Sequence, residues 1–226
     1  MKKTFYITAI DTDAGKTLIT GLMARYLKEK GLRVITQKMV QTGHQGISED
    51  IVRHRQLMGT GLLSEDHQKM TCPYVFSFPG SPHLAAAMEK QTIDPHKIYQ
   101  QTRTLSTWYE YLLLEGTGGL MVPLTKDYRV IDYFAEYPAP LILVAHSRLG
   151  SINHTLLSIE ACHHRKLNLL GIIYNQWHET DPEITRNSEE IIGYQLKKYY
   201  PRANCIPFPQ WTPEKETPDF SFWFGR

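Results

Sequence analysis

The sequence predicts an α/β domain, a mainly parallel sheet with helices on both faces, and three observations lead there. Short apolar runs (Phe5 to Ile10, Tyr111 to Leu114, Pro140 to Ala145, Leu169 to Tyr174) alternate with segments of helical period. Strands apolar on both faces belong to a parallel sheet buried under helices. The first run passes through Asp11-Thr12-Asp13-Ala14-Gly15-Lys16-Thr17 straight into a helical pattern, Leu18 to Lys30. Strand, polar turn, Gly-Lys-Thr and helix are the context of a phosphate-binding loop. Finally, Lys38, Glu115 and Asn175 stand at the carboxyl ends of expected strands, the edge of such a sheet where ligands sit.

The loop carries its own chemistry. Its amides and the helix N-terminus can face an anion. Lys16 can reach terminal phosphates as a point charge, and the Thr17 hydroxyl can ligate magnesium. The pattern G-x-x-x-x-G-K-[ST] is incomplete, because its first glycine falls on Ile10.

Composition narrows the classes. A chain of 226 residues, 42% apolar, has core enough for one domain spanning residues 1–226. A net charge of +2, with no basic run interleaved with aromatics, argues against a nucleic-acid partner. No stretch approaches a membrane span. Met1-Lys2-Lys3-Thr4 and the apolar run after it mimic a signal peptide, but the run stops at Asp11. Cys72, Cys162 and Cys205 lie far apart, as free thiols in a reducing compartment do. A cytoplasmic protein is expected.

Taking the elements in order, Gly31 closes the first helix and Arg33 to Gln37 form the second strand, with Lys38 at its end and Thr42-Gly43 in a polar loop. Ser48 caps a helix that places Ile51, His54 and Leu57 at helical spacing. Asp50 has two readings, a first-turn acid favouring the helix dipole or a metal-facing carboxylate, and the sequence alone favours the first. Residues 59–82, rich in Gly, Pro and Ser, read as loop. Ser81-Pro82-His83 leads into a short helix, Leu84 to Lys90, and Asp94-Pro95 opens another reaching about Trp108.

Glu115 ends the Tyr111 run and opens the turn Glu115-Gly116-Thr117-Gly118-Gly119. An acid at the end of a buried strand is costly unless it meets a cation or donors, so Glu115 is expected to face the site of Lys16 and Thr17; the other reading is a solvated acid in a glycine turn. Ser151 reads as a cap for a helix from Ile152 to Cys162, whose free N–H groups offer a second anion site. A strand ending at Asn175, a helix from Glu189 to Tyr199 and a short strand, Cys205 to Phe208, follow. The tail, about 209–226, carries Trp211, Phe220, Phe222, Trp223 and Phe224 and is expected to pack in part. The histidines lack zinc-site spacing and read as solvated or core residues.

Several motifs now stand in one order: Asp11 to Thr17, Lys38-Met39-Val40, Ser81-Pro82-His83-Leu84-Ala85-Ala86, Glu115 to Gly119, Val122-Pro123-Leu124 and Leu149-Gly150-Ser151-Ile152-Asn153-His154-Thr155. Together they resemble the dethiobiotin synthetase family, from the first strand to about Pro207. The resemblance implies a P-loop NTPase fold and the closure of a cyclic urea, in which 7,8-diaminopelargonate, CO2 and ATP become dethiobiotin, ADP and phosphate through a carbamate and a carbamic-phosphoric mixed anhydride. Catalysis is then positioning and charge stabilisation.

Carried over by that resemblance, Lys16, Lys38 and Thr12 are catalytic. Asp13, Ala14, Gly15, Lys16, Thr17 and Leu18 hold ATP, with Asn175 and Pro207 at the base. Thr12, Lys38, Thr42, Ser81, Gly118 and Gly119 hold the diamine or carbamate, while Gly150, Ser151 and Asn153 take its far carboxylate. Thr17, Asp50 and Glu115 are the magnesium ligands, an all-oxygen set suited to a hard cation. A homodimer with the active site at its interface is implied as well. The chain departs from the family pattern at Ala9, where glycine is usual, at Met39 (proline), Thr117 (alanine) and Gln176 (aspartate), and it matches poorly over 201–207 apart from Ile206-Pro207.

Competing readings are a P-loop ATPase of the partition or metal-chaperone type, which would carry an extra lysine near the start of the loop, and an amide-forming ligase of corrin synthesis, which needs a second domain. A non-catalytic binding module of the same fold is the third; the set Lys16, Thr17, Lys38, Asp50 and Glu115 speaks against it.

Overall fold

The computed structural model of the chain describes residues 3–177 and 181–224; the Met1-Lys2 start lies outside them. In chain order the elements are β1 (Lys3–Ala9), α1 (Lys16–Glu29), β2 (Val34–Lys38), β3 (Gln41–Thr42), α2 (Glu49–Leu57), α3 (Ser64–His67), β4 (Val75–Phe76), α4 (Pro82–Met88) and α5 (Pro95–Trp108). Then come β5 (Tyr111–Gly119), β6 (Pro123–Thr125), β7 (Tyr128–Arg129), α6 (Val130–Glu136), β8 (Leu141–His146), α7 (Ser151–His164), β9 (Leu169–Asn175), α8 (Pro182–Tyr199), β10 (Asn204–Phe208) and α9 (Ser221–Phe224).

Among the described residues, six strands form one sheet in the order β10-β9-β8-β1-β5-β2, every pair parallel. The apolar runs make it so, because alternate residues bury opposite faces. Tyr6, Leu112, Leu114, Leu141, Leu143 and Tyr174 enter one core cluster, and Phe5, Ile7, Leu113, Ile142, Val144 and Ile173 the other. The second cluster includes Ile19, Leu22, Met23 and Leu27 of α1. Strand order reverses around β1, whose neighbours are β5 and β8. The crevice beyond their carboxyl ends is thus the switch point of the sheet.

Four expectations need correction. The glycine-rich stretch after Leu114 is not a turn: β5 runs on to Gly119, with an irregularity opposite Ile7 and Ala9. Glycines permit it, because the backbone passes so close that a Cβ at Gly119 would lie 3.1 Å from the Ile10 carbonyl oxygen. Residues 59–82 hold α3 and β4. There β4 pairs with β3, and Asp66 is gripped by Arg55, long-range contacts that local composition does not register. Ser151 does not cap α7; Gly150, at φ 93°, holds the cap position and Ser151 is the first helical residue. The helix expected from Glu189 starts earlier, at Pro182, with the Asp181 side chain accepting from the N–H groups of Glu183 and Ile184.

The aromatic tail packs as expected. Phe224 meets Phe5 edge-on at 5.0 Å and lies against Tyr26 and Tyr111. Trp211 and Phe220 are buried and Phe222 is exposed. Cys72, Cys162 and Cys205 are free.

Candidate active site

The loop between β1 and α1 is shaped by backbone constraints. Gly15 caps α1 at φ 100°, and a Cβ there would stand 2.3 Å from Asn175 Nδ2, so only glycine serves. No side chain caps α1, which leaves its first N–H groups to an incoming anion. At the end of β9, Asn175 braces the loop: Nδ2 donates to the Ala14 carbonyl at 3.0 Å, and Oδ1 accepts from the Trp177 N–H at 3.3 Å. Among the described residues, nothing else takes the second Nδ2 hydrogen or the remaining Oδ1 lone pair.

Lys16 is 7% exposed and donates to the Asp11 carbonyl at 3.0 Å. Burial, aided by the like charge of Lys38, lowers its pKa to about 8.

Lys38 ends β2 in register with Glu115 of β5, so their side chains meet. Lys38 Nζ lies 2.8 Å from Glu115 Oε1 and 2.6 Å from Asp50 Oδ2, and donates to the Gly116 carbonyl at 3.0 Å. Glu115 is wholly buried, which excludes the solvated reading. Burial on its own pushes the Glu115 carboxyl up, but Lys38 and then His54 outweigh it and hold it far below the usual carboxylate range. Burial likewise disfavours charge on Lys38, and Glu115 and Asp50 together raise it above its ordinary value.

Thr17 Oγ1 lies 2.9 Å from Asp50 Oδ1 and 3.1 Å from Glu115 Oε1. The Asp50 carboxylate therefore turns to Thr17 and Lys38 at the cleft rather than serving the helix dipole alone. Its helix is held by Ser48, whose Oγ accepts from Ile51 N–H and donates to Gln41 Oε1, and by Arg55. Arg55 makes two hydrogen bonds to Asp66, of 2.8 and 2.9 Å, and two to Thr36 of β2, to its hydroxyl at 2.8 Å and its carbonyl at 3.4 Å.

Two carboxylates and a hydroxyl converging at these distances fit a hard cation, and the Lys38 ammonium marks the spot as one that holds positive charge. No cluster of three His, Cys, Asp or Glu among the described residues could hold a metal. A cation here would complete its shell with phosphate oxygens and water, as magnesium does in nucleotide sites.

These groups open into a cleft of about 820 Å³. Of the expected residues, Thr12, Asp13, Gly15, Lys16, Thr17, Leu18, Lys38, Thr42, Asp50, Ser81, Glu115, Gly118 and Asn175 line it. Ala14 is buried within the loop, and its carbonyl accepts from Asn175. Gly119 lines a neighbouring groove with Asp11, Met121 and His154. Pro207 borders an apolar cavity under the tail, with Phe208, Trp211 and Phe220. Gly150, Ser151 and Asn153, at the start of α7, are not among the residues lining the cleft. The sequence missed Gln41, Pro79, Gly80 and Trp177 in the cleft wall, which have no spacing to betray them. It also missed the contact between His54 and Glu115, for which one signal existed: His54 follows Asp50 by four residues and so shares its helix face.

A phosphate-binding loop at the switch point of a parallel sheet, with two ammonium groups and two carboxylates converging on it, defines a nucleotide-dependent α/β enzyme. The chain matches the AAA domain family over residues 3–207. It is 47% identical over 203 residues to the ATP-dependent dethiobiotin synthetase BioD 2 of Pasteurella multocida, covering 90% of this chain and 95% of that one. With the ATP-dependent dethiobiotin synthetase BioD of Chlorobaculum tepidum it shares 51% over 193 residues, 85% of this chain and 81% of that one. The ParA family ATPase of Chlorobium tepidum has the same fold, with a TM-score of 0.54 over 93% of this chain and 84% of that one at 14% identity. The chain belongs to the dethiobiotin synthetase family, whose members are ATP-dependent ligases. No helix among the described residues is long and apolar enough to cross a membrane.

Proposed function

We propose that this protein, acting as one domain in the cytoplasm, joins 7,8-diaminopelargonate and CO2 at the expense of ATP to give dethiobiotin, ADP and phosphate in biotin biosynthesis. One observation carries the reading: Lys16 and Lys38 are both buried at one cleft whose floor holds Thr17, Asp50 and Glu115.

The chemistry needs charge at three places. An amine nitrogen of the diamine attacks CO2, forming an N–C bond and losing a proton, and leaves a carbamate anion. Thr12 and Thr42 hydrogen-bond diamine or carbamate, and Lys38 neutralises the anion. A carbamate oxygen then attacks the γ-phosphorus of ATP, and the bond to ADP breaks. Lys16 and the loop amides take up the charge that moves onto the β- and γ-phosphates. The second amine attacks the carbamate carbon, a C–N bond closes the ring, and phosphate leaves. Ser81 and the backbone at Gly118 and Gly119 border the diamine. Asn175 keeps one donor and one acceptor site for the adenine edge, with Pro207 nearby.

Magnesium would be held by Thr17, Asp50 and Glu115 and would supply further neutralisation of phosphate oxygens. Because Gly150, Ser151 and Asn153 do not line the cleft of their own chain, we assign them to a partner copy's site in a homodimer. Exposed Met121, Leu149 and Leu157 nearby give such a pairing apolar surface.

The test is phosphate release from ATP and magnesium with bicarbonate, with and without 7,8-diaminopelargonate. Diamine-dependent release, with dethiobiotin seen by mass spectrometry, is the expected result. Diamine-independent hydrolysis overturns the reading in favour of a nucleotide switch.

A further inference from the structure

His54 is a titratable group buried against the site that the proposed chemistry leaves unused. It is wholly buried, on α2 one turn after Asp50. Its Nε2 lies 2.8 Å from Glu115 Oε2, while the other Glu115 oxygen, Oε1, takes Lys38 at 2.8 Å and Thr17 at 3.1 Å. The two oxygens therefore have separate duties, one held by the helix and one turned to the cleft.

The tautomer follows from the surroundings. An ionised carboxylate offers only lone pairs, so Nε2 must carry the hydrogen. Nδ1 is buried without a hydrogen-bond partner among the described residues. A buried ring nitrogen left bare is a cost, and the site bears it where the ring's other face secures Glu115. A leucine of similar size would fill the space without that cost but would leave Oε2 buried and unpaired.

We infer that His54 is a positioning residue: its Nε2–H fixes the Glu115 carboxylate so that Oε1 alone faces the magnesium position. Asp50 and His54, four residues apart on one helix face, then set both carboxylates from a single rigid element, which Arg55 anchors through Asp66. Partners that orient a metal's ligands in this way are commonly worth about 10- to 100-fold in metal affinity. The inference rests on the reading of Glu115 as a metal ligand, and the experiment separates the two.

Mn2+ is titrated into the full chain with saturating ADP, and free Mn2+ is read by electron paramagnetic resonance. Wild type, H54L, H54Q and E115Q are compared, and ADP affinity is also measured without metal. A glutamine amide reaches the Nε2 position and can still donate to Glu115. The expected result is Mn2+ binding weakened about 10- to 100-fold in H54L, largely recovered in H54Q, with metal-free ADP affinity unchanged in both. Should H54L fail to fold, H54N replaces it, because its amide stops at the Nδ1 position, short of Glu115. Wild-type Mn2+ affinity in H54L alongside weakened binding in E115Q overturns the role of His54 and leaves Glu115 a ligand. Equal losses in H54L and H54Q, or a parallel loss of metal-free ADP binding, reduce His54 to packing and overturn it too. Unchanged binding in E115Q overturns the ligand reading and this inference with it.

Discussion

Lys38 and Glu115 are register partners at the carboxyl ends of adjacent parallel strands, and their charged groups meet at 2.8 Å with almost no exposure to solvent. Each makes the other's burial tolerable, so the site is assembled before any substrate arrives. Lys38→Met removes the cation and keeps the volume. Turnover is expected to fall by about 10²- to 10³-fold, the usual cost of losing one preorganised stabiliser, while ATP binding through Lys16 persists; steady-state kinetics and calorimetry separate the two. The pH dependence of stability also changes. In the wild type, Glu115 has its pKa depressed, so it contributes stability above its ordinary pKa of 4.5 that is lost as pH falls. With Lys38 gone, burial is opposed chiefly by His54, and the Glu115 pKa rises. The Tm difference between wild type and variant should therefore widen as pH rises through the acid range in metal-free buffer.

Lys16 sets a second pH dependence. Its pKa of about 8 means that the free protein begins to lose this cation just above neutrality. Bound phosphates favour the charged form, so binding above that pH takes up a proton. The logarithm of Kd for ATP should rise above about pH 8 with a slope approaching one. Calorimetry in buffers of different ionisation enthalpy should show the proton uptake. Lys16→Ala should abolish both turnover and this pH slope while leaving the melting curve cooperative. A slope that survives in the variant assigns the titration to another group.

The backbone of the loop gives a third prediction. Gly15→Ala forces a left-handed alanine, at about 1–2 kcal/mol, and drives a methyl group into Asn175. The Asn175 amide must then leave the Ala14 carbonyl. ATP affinity should drop by about tenfold or more, with the fold otherwise retained in circular dichroism.

How much of this was legible in the sequence depends on the range of the contact involved. Apolar runs revealed the sheet strands because burial on both faces is written in consecutive residues. The phosphate loop was equally visible, since strand, Gly15, Lys16 and helix are contiguous. Lys38, Asp50 and Glu115 could be placed at strand and helix ends. That they touch is a matter of register between β2 and β5, which no local pattern encodes. The same holds for His54 and Glu115, 61 residues apart, and for the paired strands β6 and β7 and for α6, which went unread. Gly150, Ser151 and Asn153 are legible as a motif, yet nothing in one chain's own cleft explains them.

Asp66 and Arg55 show how a short helix in a long connection supports the site from behind. The pair is buried, bidentate and further bonded by Thr71 and the Leu63 N–H. Burial works against the Asp66 charge, but Arg55 and these donors outweigh it and lower its pKa. Asp66→Asn leaves the Arg55 guanidinium buried and unpaired, which should cost about 3–5 kcal/mol in denaturant unfolding. The loss should shrink as pH falls below the ordinary aspartate pKa of 3.8, because the unfolded wild-type chain then takes up a proton that the folded carboxylate accepts only at lower pH. A surface-like loss below about 1 kcal/mol would show that Arg55 finds another partner.

The tail is expected to act on stability rather than chemistry. Phe224 sits in an aromatic nest of Phe5, Tyr26 and Tyr111, which covers the sheet face shared by β1, β5 and α1. Without it, three rings that the strands and helix already commit to the core would face water. Phe224→Ala should therefore cost about 3–5 kcal/mol, the usual range for a buried phenylalanine. Because Phe224 does not line the cleft, kcat and KM at a temperature well below the midpoint should stay near wild type. A fall in kcat without a fall in stability would instead tie the tail to the nucleotide end of the sheet, through Phe220 and Trp211, which share a cavity with Pro207.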